Sequence, residues 1–153
     1  MEPLLAFQIS QQDLLACTYS IVCGLLVGLE REIKGRPSGL RTQTLISLGC
    51  CAFVIISNKL ESAAMDPTRV LGQIVTGIGF LGAGVIMNRD QNVFGLTSAA
   101  TIWVTAAIGC TMGLYLFNFG FVLTALALFV LVIVEKLHSF INKKIKKIHT
   151  KPD

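Results

Sequence analysis

Charged residues are scarce in this sequence and are unevenly placed. It has 13 basic and 9 acidic residues among 153, or 14%, whereas an ordinary soluble domain carries charge on about a quarter of its positions. Four stretches, 14–29, 42–58, 70–88 and 91–134, contain no Asp, Glu, Lys or Arg. Because the helices and strands of a soluble fold need polar faces, this scarcity excludes a water-soluble domain and predicts an integral membrane protein.

Two further absences narrow the class of protein. No Lys or Arg precedes Arg31, so the basic region of a cleaved secretory signal is missing, and the first apolar run is expected to remain as a membrane span. The five cysteines are an odd number and form no Cys-x-x-Cys or Cys/His spacing. They are therefore expected to be small packing residues rather than disulfide partners or zinc ligands. We expect no nucleic-acid partner.

The lengths of the uncharged runs predict five membrane-spanning helices. At ~1.5 Å per residue, a ~30 Å hydrocarbon core needs ~20 helical residues, so each of the first three runs fits one span. The fourth run has 44 residues and must turn, most simply at residues 116–120, where Asn118 and Gly120 supply turn chemistry. We therefore expect an all-α bundle of five transmembrane helices, since the runs lack the alternation of barrel strands.

The distribution of basic residues predicts the orientation of the bundle. With five spans, eleven of the 13 basic residues share one side and only Lys59 and Arg69 fall opposite. The positive-inside bias then places the N-terminus outside and the C-terminus in the cytoplasm. We expect a transmembrane domain over residues 1–138 and a basic tail over residues 139–153 that lies on anionic lipid, with no C-terminal soluble domain.

Glycines in three of the runs indicate close helix packing. The spacings Gly24-x-x-x-Gly28 and Gly109-x-x-x-Gly113 allow helix backbones to approach in a membrane. The candidate packing residues of the third run are Gly77, Gly79, Gly82 and Gly84. Glycine on both faces predicts a helix held between two close neighbours or one that is locally unwound. We expect a homodimer that forms through the third or fourth span.

A shift of 56 residues aligns the first two spans with the next two. It matches Gly28 with Gly84, and the Gly-Leu pair at 39–40 with the pair at 95–96. If the repeat is real, two parallel two-helix units are followed by a fifth helix. Each unit then places a Gly-Leu pair at the start of a helix, on the cytoplasmic side.

Most of the candidate chemistry lies in two matching loops, at residues 30–42 and 88–98. Their acids are Glu30, Glu32 and Asp90. These acids either pair with Arg36 and Arg41 or supply oxygen ligands to a hard cation such as Mg²⁺. The N-terminal end of the second span also suits an anion, which is either a side-chain carboxylate or an external phosphate or lipid head group. Mutual ion pairing is the simpler interpretation.

Three motifs in these segments are similar to those of one known family. They are Gly28-Leu-Glu30-Arg31-Glu32 with Gly35-Arg36-x-x-Gly39-Leu40-Arg41-Thr42, then Gly77-Ile-Gly79-Phe80-Leu81-Gly82-Ala83-Gly84, then Asn92-Val-x-Gly95-Leu96-x-x-Ala99-Ala100-Thr101-x-Trp103. In this order, over residues 13–116, they resemble the MgtC/SapB (YhiD-like) family of bacterial inner-membrane proteins. The resemblance implies a five-helix bundle in the bacterial cytoplasmic membrane.

The resemblance also implies functional residues and a role. The positions that carry over, besides the glycines of the third span, are Glu30, Arg31, Glu32, Arg36, Arg41, Asn92, Gly95 and Trp103. The implied activity is regulatory and is linked to growth in low magnesium and to virulence. Some members are proposed to bind and restrain the F-type ATP synthase. Many members carry a cytoplasmic domain after the last span, which we do not expect in this chain.

Three classes of function remain open. The first is a non-enzymatic regulatory protein that contacts another membrane complex and senses ions at its cytoplasmic loops. The alternative is a transporter or channel for Mg²⁺ or another small ion. Transporters place ionisable groups near the midplane, but no Asp, Glu, Lys, Arg or His lies deep in any predicted span. Only Gln73, a threonine stripe from Thr97 and carbonyl groups exposed by glycine are left to line a route. An enzyme is least favoured, because charge pairing explains the acidic and basic loop residues. No cofactor is expected apart from Mg²⁺.

Overall fold

The computed structural model describes residues 8–60, 68–89 and 92–137, and these residues form five long helices. The helices are α1 (Gln11–Ile33), α2 (Leu40–Leu60), α3 (Thr68–Val85), α4 (Leu96–Gly113) and α5 (Phe117–Phe129). A π-helical turn, Val130–Val134, extends α5, so that its apolar span reaches Leu137. Each helix is long and apolar enough to cross a membrane, which confirms the predicted all-α, five-span architecture.

Local sequence signals set where the helices begin. Ser10 and Asp13 form a reciprocal capping box at the start of α1, with the Asp13 amide donating to the Ser10 hydroxyl at 3.2 Å. Helices α2 and α4 begin at Leu40 and Leu96, each directly after the glycine of a predicted Gly-Leu pair. The 56-residue repeat itself stays a prediction.

Two features of the connections differ from the expected loops. A short antiparallel hairpin, β1 (Met87–Arg89) with β2 (Asn92–Phe94), joins α3 to α4. The turn between α4 and α5 comes earlier than expected, because α5 begins at Phe117 and includes Asn118 and Gly120. The chain reverses at Tyr115, which adopts a left-handed conformation with φ 60°. A tyrosine in this conformation needs tertiary contacts to hold it. These contacts cannot be predicted from the residue types near the turn.

Helix α4 lies at the centre of the bundle, in contact with α1, α2, α3 and α5. Its approach to α2 is close, because a Cβ atom on Gly109 would overlap the Ser47 carbonyl oxygen. Helices α1 and α2 approach equally closely, since a Cβ atom on Gly28 would lie 2.6 Å from the Leu40 Cα atom. Both Gly-x-x-x-Gly segments therefore lie at helix contacts, and α1, α2 and α4 form a tightly packed three-helix unit.

Helix α3 lies at the edge of the bundle. It packs mainly against α4, and its buried residues are Ile78 and Gly82. The structure shows a regular helix over Thr68–Val85, without the local unwinding that the glycines made possible. Within the described part of the chain it also lacks a second close neighbour, since its contact with α2 is slight.

Glycine at the α2–α4 contact can be tested with a matched pair of variants. We expect Gly109→Ala to destabilise the bundle by about 1–3 kcal/mol, because the added methyl group overlaps the α2 backbone. Gly49→Ala is the control, since a Cβ atom on Gly49 meets nothing within 4 Å and alanine favours helix. Thermal unfolding in detergent would measure both. Equal midpoints for the two variants would contradict the close approach of α2 and α4 at Gly109.

Candidate functional site

Charged side chains meet at the end of the bundle where α1 and α5 end and α2 and α4 begin. We call this group the Glu30 cluster; its members are Glu30, Arg31, Lys34, Arg36 and Glu135. The last turn of α1 and the residues that follow it supply four of them, and the end of the fifth span supplies Glu135. The cluster therefore joins the first and last described helices through ion pairs.

Lys34 is the central cation of this cluster. Its ammonium group lies 3.1 Å from Glu30 Oε1, donates to the Leu131 carbonyl oxygen at 3.1 Å and forms an ion pair with Glu135. The hydrogen bond to Glu135, with a further contribution from Glu30, raises the pKa of Lys34 above the usual lysine value. Leu131 belongs to the π-helical turn of the fifth span, so Lys34 binds this turn as well as the two acids.

Arg31 is the most deeply buried charge of the cluster. Its side chain is 3% exposed, and its Nη1 atom lies 3.7 Å from Glu30 Oε2. Its Nη2 atom donates to the Ser98 hydroxyl on the first turn of α4 at 2.9 Å. The Nε atom has no hydrogen-bond partner among the described residues. Because a buried charge is costly without partners, Glu30 and Ser98 hold this guanidinium between α1 and α4.

Glu32 has a separate task at the start of α2. Its Oε2 atom accepts a hydrogen bond from the Leu40 backbone amide at 3.1 Å. A carboxylate at a helix N-terminus is stabilised by the free amides and the helix dipole. The anion expected at this helix end is therefore a side-chain carboxylate of the chain itself.

The arginines of the loop do not pair with Glu30 and Glu32 as expected. Arg36 pairs instead with Glu135, with 3.0 Å between Nη2 and Oε1. Arg41 is exposed and makes no ion pair with the described residues. The reason is geometric: Glu30 faces the interior of the bundle, and Glu32 lies over the start of α2.

The two residues from the second loop are described only in part. Asp90 lies outside the described residues, and Asn92 is described as the first residue of β2. Among the described residues, no three His, Cys, Asp or Glu side chains are grouped so that they hold a metal ion. The two described acids among the metal candidates, Glu30 and Glu32, have different protein partners.

Three residues of this end were missed by the sequence interpretation of the site. The sequence indicates Lys34 only as one of the eleven basic residues that predict the orientation, and no local pattern marks Ser98 or Glu135 as a partner of the loop. Glu135 is the first charged residue after the longest uncharged run, and its predicted side of the membrane was the same as that of Lys34. The sequence could therefore have indicated that Lys34 and Glu135 lie on the same side of the membrane. It could not have indicated that they pair, because they are 101 positions apart along the chain.

A second polar cluster lies at the opposite end of the bundle. We call it the Asp13 cluster; its members are Asp13, Lys59 and Tyr115. Asp13 is buried, its Oδ2 atom lies 2.6 Å from Lys59 Nζ, and its Oδ1 atom accepts a hydrogen bond from the Tyr115 hydroxyl at 2.6 Å. The Asp13 cluster thus joins the start of α1, the end of α2 and the α4–α5 turn. The hydrogen bond to Asp13, followed by burial, raises the pKa of Tyr115 to about 12.

The other candidate packing residues occupy three kinds of position. Gly24 faces α2, where a Cβ atom would lie 2.8 Å from the Thr44 Cα atom, and Gly82 lies beside Ala99 of α4. Gly95 caps α4 with φ 88°, and a Cβ atom there would overlap the Val85 carbonyl oxygen. By contrast, a Cβ atom on any of three glycines of α3 would meet no described atom within 4 Å; these are Gly77, Gly79 and Gly84. The side chain of Trp103 on α4 is also largely exposed.

Comparison with known proteins gives consistent matches. The sequence model of the MgtC family matches residues 17–140. "Putative magnesium transporter YhiD" of Escherichia coli (strain K12) is 42% identical over 125 residues, which cover 77% of this chain and 58% of that protein. "Protein MgtC" of Brucella abortus (strain 2308) is 47% identical over 105 residues, covering 69% and 44%. "Protein SapB" of Bacillus subtilis (strain 168) is 36% identical over 148 residues, covering 92% and 62%.

The coverage of these matches is unequal. They include most of this chain, but the chain spans only 44% to 62% of the length of the three relatives. No solved structure matches the chain significantly.

The buried pair at the Glu30 cluster can be tested against Glu32 on the same turn of α1. We expect Glu30→Gln to destabilise the bundle by about 3 kcal/mol, because Arg31 then remains buried without a carboxylate. Glu32→Gln is the control and is expected to cost less than about 1 kcal/mol, since an amide oxygen still accepts from Leu40. Unfolding in mixed micelles would measure the free energy of unfolding of both variants. An equal loss of stability in the two would contradict the burial of the Glu30–Arg31 pair.

The Asp13 cluster predicts a pH dependence. Because the folded pKa of Tyr115 is raised to about 12, its hydrogen bond stabilises the bundle below the unfolded value of about 10 and is lost as the pH rises through 12. We expect Asp13→Asn to lower the pKa of Tyr115 towards 10. Ultraviolet absorbance of the phenolate would follow the titration, with Tyr115→Phe identifying its contribution. A wild-type Tyr115 that titrates near 10 would contradict this.

Proposed function

This chain belongs to the MgtC family, and from that premise we propose that it is a non-enzymatic regulatory protein of the bacterial inner membrane. It acts by contact with another membrane complex under magnesium limitation. The family resemblance links this activity to virulence and identifies the F-type ATP synthase as the first complex to test. The five apolar helices support a multi-pass membrane protein.

The tight packing of α1, α2 and α4 is the observation that carries this proposal. A Cβ atom on Gly24 would lie 2.8 Å from the Thr44 Cα atom, and one on Gly113 would lie 2.7 Å from the Cys51 carbonyl oxygen. Helices in backbone contact leave no room between them for Mg²⁺, which keeps several of its water ligands. The close packing of these three helices supports a role that the protein performs at its surface.

The exposed members of the Glu30 cluster, Arg36 and Glu135, are the part of the surface that we assign to regulation. The acids of this cluster already have cationic partners, because Glu30 pairs with Lys34 and Glu135 pairs with Lys34 and Arg36. Ion pairing of these acids, although its partners differ from the expected Arg36 and Arg41 for Glu30, supports our preference for paired charges over a resident Mg²⁺ site. The Arg36 side chain is 54% exposed, and with exposed Arg41 it offers positive charge to an acidic partner surface.

We place the Glu30 cluster in the cytoplasm and the Asp13 cluster outside. The support is the sorting of basic residues, since Arg31, Lys34 and Arg36 lie at one end of the bundle whereas Lys59 lies at the other. The expected basic tail at residues 139–153 lies outside the described residues, and its contact with anionic lipid remains part of this proposal.

Transport of Mg²⁺ or another small ion is the second candidate function. One relative carries the name "Putative magnesium transporter YhiD". In this chain, the buried oxygen atoms Gln43 Oε1 and Thr105 Oγ1 have no hydrogen-bond partner among the described residues. Gln43 lies on α2, where it packs beside Gly28 of α1, and Thr105 lies on α4. Both oxygens would reach an ion only if the packed helices separated.

The two functions predict opposite results in reconstituted vesicles. We expect the full chain in vesicles loaded with a Mg²⁺-sensitive dye to show the same Mg²⁺ entry as protein-free vesicles, because its interior is packed. A bacterium that lacks its own copy supplies the regulatory readout, which is growth in low magnesium. We expect wild type and Lys34→Arg to restore growth and Lys34→Gln to reduce it at least severalfold.

Two controls make this comparison decisive. Membrane levels of each variant must match, so that lost growth reports activity rather than folding. Tagged wild-type protein should also co-purify with the F-type ATP synthase, and Lys34→Gln should retain less of it. Protein-dependent Mg²⁺ entry that Glu30→Gln abolishes would overturn the regulatory proposal in favour of transport.

A further inference from the structure

The fifth span contains one turn that is not α-helical. Residues Val130–Val134 form a π-helical turn after α5, which we call the π turn. A π turn bonds each carbonyl to the amide five residues ahead instead of four, so it holds one residue more than an α-helical turn. Such turns are rare, and they occur frequently at functional sites. A contact from outside the helix is therefore expected to hold this one.

Lys34 is the side chain that holds the π turn. Its ammonium group donates to the Leu131 carbonyl oxygen inside the turn at 3.1 Å and pairs with Glu135, the first residue after the turn. Its third contact, 3.1 Å to Glu30 Oε1, is to α1. Lys34 therefore connects α1 with both the inside and the end of the π turn.

The two helices that Lys34 connects are held with different firmness. Glu30 is buried, and its partner Arg31 donates to Ser98 of α4, so this side belongs to the tightly packed three-helix unit. By contrast, only 17% of the 18-residue window of the fifth span is buried, and Leu131 is the buried residue of the π turn. The end of the fifth span can therefore rotate about its own axis with little loss of packing.

Conversion of the π turn to an α-helical turn gives the following chain a second defined direction. Residues from Glu135 onward would rotate by up to about 100° and advance by about 1.5 Å, which is the contribution of one residue to an α-helix. This rotation takes Glu135 away from Lys34. The ion pair therefore favours the π form, whereas regular helix hydrogen bonding favours the α form.

We propose that the π turn is a conformational switch: Lys34 holds its π form, and in its α form the chain beyond Val134 is rotated. Carboxylates of an acidic partner release the turn when they bind Lys34 and Arg36 in place of Glu135. These side chains are open to such an exchange, since they are 27%, 54% and 38% exposed in that order. Because the carboxylates bind only where Glu135 has left, they shift the population to the α form. The release step rests on the acidic partner surface of the proposed function, whereas the two forms of the turn do not.

The distance between two spin labels in the full chain measures the rotation. The labels enter as non-natural amino acids at Leu45 of α2 and at Leu137 beyond the turn, which are both exposed, so the native cysteines stay in place. In vesicles of uncharged phosphatidylcholine, we expect Lys34→Gln to change the distance by several ångströms and Lys34→Arg to keep the wild-type distance. The matched control is Lys136→Gln, which removes the same charge from an exposed position beside Glu135 and should also keep it.

A one-residue deletion tests the extra residue of the π turn directly. Removal of Val132 should make the turn α-helical while Glu135 still faces Lys34, so we expect a thermal midpoint close to that of wild type. Removal of Leu126 from the regular part of α5 shortens the span equally but rotates Glu135 away, so we expect a clearly lower midpoint. Equal midpoints for the two deletions would overturn the proposed extra residue.

A soluble acidic peptide tests the release step. We expect an oligoglutamate peptide to move the wild-type distance towards that of Lys34→Gln, and an oligolysine peptide of the same length to leave it unchanged. A wild-type distance that ignores oligoglutamate would overturn release by carboxylates. A distance that Lys34→Gln leaves unchanged would overturn the switch itself. These measurements use the purified chain alone, so their failure is distinct from a failure of the growth and co-purification tests of the regulatory function.

Discussion

Close approach of three helix backbones is the constraint on which the rest of the structure depends. Apolar side chains gain little when they leave lipid for a protein interior, so packing and interhelical hydrogen bonds hold a membrane bundle together. Here Gly24, Gly28 and Gly109 let α1, α2 and α4 meet, and the Ser20 and Ser47 hydroxyls bond across α1 and α2 at 2.9 Å. The three-helix unit then positions α3, α5 and the polar groups at both ends.

The placement of charge follows from this unit and from the bilayer. Ionisable groups are costly within hydrocarbon, and α1 carries its buried acids in its first and last turns. Asp13 and Glu30 are 17 positions apart, which is about 26 Å along a helix and close to the thickness of the hydrocarbon core. Each acid therefore reaches partners near a membrane surface, and the two clusters tie the ends of the same bundle.

The candidate site shows what can be predicted from local sequence. Glu30, Arg31 and Arg36 were expected at one end of the bundle, because the end of an uncharged run is a local property. Their partners could not be predicted in the same way. Lys34 meets Glu135 across 101 positions, and this pairing depends on α5 lying beside α1. The task of Glu32 likewise depends on how the chain turns into α2.

The sequence by itself determined the membrane environment, the number of spans and the family, because uncharged runs and ordered motifs are properties of the linear chain. Only the tertiary structure decided which helices are neighbours, that α4 is central and that the glycines of α3 are left open. A glycine spacing permits close helix packing but does not determine which helix packs there. Glycines therefore lie at a close helix contact in α4, whereas in α3 most of them lie on an uncovered face.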